Sequence, residues 1–119
     1  MSIYEKDGIP IVFDRAGMLE RLMDDEDLAR KLTEAFLKDI PKRFDMLREC
    51  LLTGDVKGAE RLTHLIKGAS ASVGGEALTT VASKMEKASR EGDLIAVEER
   101  VDKLESEFRR LKQEIEKKL

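Results

Sequence analysis

The spacing of apolar residues is the feature of this chain that most restricts its fold. Between residues 25 and 52 these residues recur every three or four positions, as one face of an α-helix requires. They are Leu28, Leu32, Phe36, Ile40, Phe44, Leu47 and Leu51. Pro41 interrupts the run, but the apolar residues keep their phase across it. We therefore expect one kinked helix here rather than two separate helices.

Glycine-containing breaks divide the rest of the chain into further helices. Two breaks are Gly-Asp pairs, in which the glycine ends one helix and the aspartate caps the next. The breaks are Gly54-Asp55, Gly74-Gly75 and Gly92-Asp93. They predict helices over residues 55–73, 76–91 and 93–118, each with apolar residues at helical spacing.

The N-terminal part of the chain follows a different pattern. Residues 1–12 predict an extended lead-in or linker, because Pro10 disfavours a helical conformation at Ile9. Asp14 is a plausible cap for a short helix that follows. Short connections make consecutive helices antiparallel neighbours. The expected fold is all-α: an antiparallel four-helix bundle over 13–119, with a short N-terminal capping helix and a long C-terminal helix.

Composition narrows the class of protein. A chain of 119 residues is long enough for one domain with a single core. The formal charge of −3 argues against a general nucleic-acid binder. Cys50 is the only cysteine, so no internal disulfide can form. No apolar run approaches the ~20 residues that would span a bilayer. We expect a cytoplasmic domain without direct membrane contact.

His64 is the only histidine of the chain, and its position on the predicted helix is informative. At about 100° per residue, the apolar side of this helix carries Leu62, Ile66, Ala69 and Val73. His64, Lys67, Gly68 and Ala71 fall on the opposite side. The imidazole is therefore expected to face outward, where another protein could reach it.

Four interpretations of this histidine differ in what they require nearby. It could be a surface residue without a role. Metal binding is disfavoured, since Arg61 stands where a bundle site often has glutamate and there is no second histidine. General acid–base catalysis would need a pocket, which small exposed neighbours do not provide. Acceptance of a phosphoryl group fits better, because Lys67 could offset its charge and Gly68 would leave room for it.

The stretch Thr63-His64-Leu65-Ile66-Lys67-Gly68-Ala69-Ser70-Ala71-Ser72-Val73-Gly74 resembles the motif of histidine-containing phosphotransfer (HPt) domains. That motif is His-x-x-Lys-Gly followed by five residues and a second glycine. The resemblance extends over about residues 13–95, through Phe36, Asp39-Ile40-Pro41, Leu78, Met85 and Glu86. All the fixed positions of the motif are present in this chain, as His64, Lys67, Gly68 and Gly74.

The resemblance implies a role in multistep two-component phosphorelays. His64 would accept a phosphoryl group from a receiver-domain aspartate and pass it to another receiver. Lys67 would contact the group and Gly68 would admit it. The chain would be no enzyme: it would have neither an ATP site nor autokinase activity. It would need no cofactor of its own, with Mg²⁺ supplied by the receiver. Its partners would be response-regulator receiver domains and a hybrid sensor kinase, and the domain itself would be a monomer. Partner contacts are expected at Arg61, Ala71 and Glu86.

Several alternatives stay open at this point. Glu86 could orient the imidazole, or it could be a solvated charge on the next helix. The apolar residues from Val97 to Ile115 have heptad spacing, which suits either the last helix of a bundle or a segment that pairs with another chain. The domain could also be a non-catalytic receiver-docking or helical adaptor module of the same fold.

Overall fold

The computed structural model describes residues 5–6 and 8–119, and helices make up nearly all of it. The six helices are α1 (Arg15–Arg21), α2 (Glu26–Thr53), α3 (Val56–Ser72), α4 (Glu76–Arg90), α5 (Leu94–Glu99) and α6 (Val101–Lys118). Two short strands, β1 (Glu5–Lys6) and β2 (Ile9–Pro10), pair in antiparallel fashion before the first helix.

The long helices form the predicted antiparallel bundle. Helix α3 packs between α2 and α4, while α6 contacts both α4 and α2 and so completes the bundle. Helix α1 packs on α2. The all-α prediction, with its short N-terminal helix, is confirmed. Pro41 lies inside a single α2 helix, as the unbroken phase of the apolar residues indicated.

Aspartate side chains begin three of the helices at the predicted positions. The carboxylate of Asp14 accepts a hydrogen bond from the Gly17 N–H at 3.0 Å, and that of Asp55 accepts one from Gly58 at 2.9 Å. Asp93 caps α5 in the same way through the N–H of Ala96, at 3.1 Å. Each bond satisfies a backbone donor that the first helical turn leaves without a partner.

The prediction of one helix over residues 93–118 is wrong, because the structure divides this segment at Arg100. There the backbone forms a tight turn, in which the Arg100 N–H donates to the Val97 carbonyl at 3.0 Å. No glycine or proline occurs between residues 94 and 118, so the sequence gives no local signal for the break. Tertiary packing is the physical reason: α5 lies against α4, whereas α6 spans both α4 and α2.

Three phenylalanines join α6 to α2 in the core. The ring of Phe108 lies 5.5 Å from that of Phe44 in an edge-to-face arrangement and 6.0 Å from that of Phe36. Leu104, Leu111 and Ile115 are buried on the same side of α6. Most of the heptad spacing therefore belongs to the bundle core.

The segment before α1 packs on the bundle. Ile9 and Pro10 are extended, and the Ile11 carbonyl accepts a hydrogen bond from the Ala77 N–H at 2.9 Å. Asp14 donates its N–H to the Gly74 carbonyl at 2.7 Å. These bonds connect the N-terminal segment to the turn between α3 and α4. The predicted lead-in also includes residues 1–4 and 7, which lie outside the described part, and its role as a linker stays a prediction.

None of the helices within 5–6 and 8–119 is long and apolar enough to cross a bilayer.

Candidate functional site

His64 lies in the middle of α3 and faces outward. Its side chain is 63% exposed, whereas Leu62 and Ile66 on the opposite face are buried. Leu65, next to His64 in the chain, is 39% exposed. Helical periodicity alone therefore placed the imidazole correctly.

A carboxylate on the neighbouring helix holds one nitrogen of the imidazole. Oε2 of Glu86 on α4 lies 2.7 Å from Nδ1 of His64. Since a carboxylate accepts, Nδ1 carries the proton in this bond and Nε2 is left with its lone pair. The exposed nitrogen is thus the nucleophilic one.

Glu86 also binds two cations. Its Oε1 lies 2.6 Å from Nζ of Lys67, and its Oε2 lies 3.3 Å from Nη2 of Arg90. Burial raises the pKa of Glu86, but the hydrogen bonds from Lys67 and His64 outweigh burial and hold the pKa below its ordinary value. The carboxylate is therefore ionised at neutral pH and can balance positive charge on the ring.

The position of Glu86 corrects one expectation. Only 6% of its side chain is exposed, so its interpretation as a solvated helix charge is wrong. Glu86 also lines a shallow depression next to His64, and its direct contact with a partner stays a prediction. Its contacts are with the residues that a partner would meet, and it positions them from below.

Gly68 leaves open space beside the imidazole. It is exposed one turn after His64, and a Cβ atom added there would meet no atom within 4 Å. The second glycine of the motif differs. Gly74 has a φ of 78°, and an added Cβ would lie 2.5 Å from the carbonyl oxygen of Asp14. A side chain at position 68 is therefore compatible with the fold, whereas one at position 74 would be strained.

The two other residues expected to contact partners lie along the same side of α3. Arg61 is exposed one turn before His64 and lines a shallow depression with Lys57 and Arg90. Ala71 is half-buried one turn after Gly68, and its carbonyl accepts a hydrogen bond from Arg21 on α1. Both positions suit a surface that surrounds His64, and their contacts with a partner stay predictions.

Arg90 is a site residue that the sequence did not reveal. Its side chain is 61% exposed, and its guanidinium reaches both Glu86 and Glu60, the latter at 3.5 Å. The spacing from Glu86 to Arg90 is that of an ion pair on one helix face, which is a common surface feature. Only the register of α4 against α3 shows that this pair lies beside the histidine.

Comparison with known proteins identifies the class. The model of the Hpt domain family matches residues 31–116. The chain therefore belongs to the Hpt domain family, whose members transfer phosphoryl groups through histidine in phosphorelay signalling and interact with receiver domains of response regulators.

A solved structure shows the same fold. The chain resembles histidine-containing phosphotransfer protein B (HptB) from Pseudomonas aeruginosa PAO1, with a TM-score of 0.80 and 24% sequence identity. The match covers 91% of this chain and 97% of that protein. A search of curated proteins found no significant match.

Proposed function

We propose that His64 accepts a phosphoryl group from a receiver aspartate and passes it to the aspartate of a second receiver. The observation that carries this proposal is the bond from the exposed imidazole to buried Glu86, 2.7 Å long. It holds Nδ1 protonated and presents Nε2 to solvent. A docked receiver could therefore bring an acyl phosphate in line with a nucleophile whose orientation is already fixed.

The bonds that form and break in the transfer step belong to the two proteins alone. The Nε2 lone pair attacks phosphorus, the N–P bond forms, and the P–O bond to the aspartyl carboxyl group breaks. The carboxylate leaves with the bonding electrons. The phosphorylated ring keeps its Nδ1 proton and becomes cationic, and the Glu86 carboxylate stabilises that charge. Transfer to the second receiver reverses these bond changes.

Lys67 and Gly68 have separate roles in this proposal. Nζ of Lys67 pairs with Glu86, and the side chain is 33% exposed, so it can turn toward phosphoryl oxygens on the adjacent Nε2. The open space at Gly68 admits the receiver's phosphate-bearing edge. Arg61 and Ala71 extend the docking surface along α3.

The proposal includes the remaining features of a phosphorelay intermediate. Family members are carriers of phosphoryl groups rather than kinases. For this chain we further expect no ATP site and no autokinase activity, and Mg²⁺ held by the receiver during transfer. We expect a monomer that acts in the cytoplasm with receivers and a hybrid sensor kinase.

The test is phosphotransfer from several pre-phosphorylated receiver domains to the wild-type protein and to a His64→Gln variant. The expected product is an acid-labile, alkali-stable label on the wild type that is absent from the variant. Chemical phosphorylation with phosphoramidate followed by ³¹P NMR would identify the nitrogen, with Nε2 expected. Receiver binding without any label on the wild type would instead indicate a docking module.

A further inference from the structure

An apolar surface separate from the His64 site lies where the end of α2 faces the junction of α5 and α6. Leu51, Leu52 and Val101 line a groove of about 540 Å³ there, together with charged residues at its rim. We refer to this groove as the distal groove. Leu52 is 83% exposed, and Leu51 and Val101 are half-buried. An exposed apolar surface with a polar rim marks an interaction site.

The groove owes its shape to the unexpected break at Arg100. A continuous helix would carry residues 93–118 past the end of α2 as one straight rod. Because the chain turns after Glu99, Glu98 of α5 and Val101 of α6 form one wall and α2 forms the other. The break at Arg100 therefore shapes the surface of the protein as well as the packing of α5 and α6.

The rim of the distal groove is acidic. Arg48 is the cation among its lining residues, and it is already bound by Asp45 at 3.1 Å and by Glu105. Glu98 and Asp102 form no ion pair within the described residues 8–119.

The adjacent end of α2 adds partial negative charge. Its last turn carries no basic residue that would offset the carbonyl end of the helix dipole. The groove therefore presents an apolar floor between uncompensated negative charges.

The distal groove and the phosphotransfer site lie on opposite edges of the bundle. His64 and Glu86 occupy the α3–α4 edge, whereas the groove lies between α2 and the α5–α6 junction. The two sites share no lining residue. A molecule bound in the groove would leave His64 accessible.

We propose that the distal groove binds a cationic amphipathic helix of a partner protein. Apolar side chains of that helix would contact Leu51, Leu52 and Val101, and flanking lysine or arginine side chains would pair with Glu98 and Asp102. Docking of a helix in a groove uses this combination of apolar anchors and charged edges. The acidic rim disfavours a second copy of this chain, since two copies would place like charges together. It likewise disfavours an anionic membrane surface.

The test uses the full chain, labelled with ¹⁵N, and a helical peptide of about 18 leucine and lysine residues with leucines at i, i+3, i+4 spacing. Saturable shifts of the Leu51, Leu52 and Val101 amide resonances are expected. Leu52→Asp should weaken binding about tenfold, and a Glu98→Gln, Asp102→Asn double variant should weaken it several-fold. Because Leu52 is exposed, its substitution should leave the fold intact.

A matched control distinguishes binding in the distal groove from nonspecific electrostatic attraction between the cationic peptide and the acidic protein. Met46 lies on the same helix and is 51% exposed, but it does not line the groove, so Met46→Asp should leave peptide affinity unchanged. Equal binding of a leucine–glutamate peptide would overturn the proposal. Resonance shifts centred on the separate depression between α2 and α3, which Phe36 and Ala69 line, would also overturn it. Sedimentation of the protein alone tests for self-association. A dimer that is abolished by Leu52→Asp would assign the groove to a second copy of this chain and would overturn the proposal.

Discussion

At the scale of single residues, the site combines one exposed side chain with one buried partner. His64 needs exposure to meet another protein, and an exposed imidazole on a helix rotates freely between rotamers. Glu86 removes that freedom from below, while Lys67 and Arg90 compensate the cost of burying its charge. The same carboxylate fixes the tautomer, and in the proposed transfer step it would also balance the charge of the phosphorylated ring.

The two motif glycines predict opposite outcomes on substitution. Gly68→Gln should keep or raise the free energy of unfolding, by up to about 1 kcal/mol, since glycine is a poor helix former and the space is open. The same variant should slow phosphotransfer roughly a hundredfold, because the added side chain occupies the receiver's position. Denaturant unfolding and transfer kinetics measure the two effects.

Gly74→Ala is the matched comparison. It should lower the free energy of unfolding by about 1–3 kcal/mol, since φ is positive and Asp14 blocks the added methyl group. Transfer per folded molecule should stay near the wild-type value. Normal transfer by folded Gly68→Gln would contradict the steric role of Gly68.

The lowered pKa of Glu86 predicts how its contribution to stability depends on pH. In the unfolded chain the Glu86 carboxyl has the ordinary pKa of 4.5, and in the folded protein its pKa is lower. As the pH falls, the unfolded chain therefore takes up this proton before the folded protein does. The stabilisation is therefore complete above the unfolded value and is lost as the pH falls through the folded value. We expect the difference in unfolding free energy between the wild type and Glu86→Gln to be constant near neutral pH and to shrink below 4.5.

Denaturant unfolding at a series of pH values measures this difference. Glu91→Gln, at an exposed position just after α4, serves as the control and should run parallel to the wild type. If the difference in unfolding free energy between the wild type and Glu86→Gln grew as the pH fell, the pKa of Glu86 would be raised in the folded protein and not lowered.

At the scale of the elements, short-range chemistry decides where helices begin, and packing decides whether they continue. Asp55 begins α3 with a side-chain bond that any aspartate after a helix-ending glycine can form. At Arg100 the chain has no such signal. The turn exists because α5 packs on α4, whereas α6 packs on both α4 and α2.

Asp55→Ala tests the cap of α3. It should lower the free energy of unfolding by about 1 kcal/mol, because the Gly58 N–H loses its acceptor. Asp55→Asn retains an acceptor oxygen and should cost only a few tenths of a kcal/mol. Since His64 lies more than two turns away, both variants should transfer phosphate at the wild-type rate. Wild-type stability of Asp55→Ala would mean that the cap contributes nothing.

At the scale of the whole molecule, α6 completes the core rather than extending from it. Phe108 touches two aromatic rings of α2, although these residues lie far apart in the chain. The bundle that holds α3 and α4 in register, and therefore Glu86 beneath His64, depends on this closure.

Phe108→Ala should destabilise the entire domain by about 3–5 kcal/mol, the cost of removing a buried aromatic side chain. Met46→Ala, at an exposed site on α2, should change the unfolding free energy by no more than about 0.5 kcal/mol. Denaturant unfolding followed by circular dichroism compares them. Native-like stability of Phe108→Ala would place α6 outside the cooperative core.

The sequence by itself determined helices α1 to α4, the aspartate caps of α1, α3 and α5, and the outward orientation of His64. Each of these depends on residues within about one or two helical turns, so periodicity and side-chain chemistry suffice to predict them. Only the tertiary structure decided that Glu86 lies beneath His64, since 22 positions separate them and their contact depends on the register of two packed helices. The same holds for Arg90 beside the histidine and for the break at Arg100, where competing interhelical contacts override an uninterrupted helical pattern.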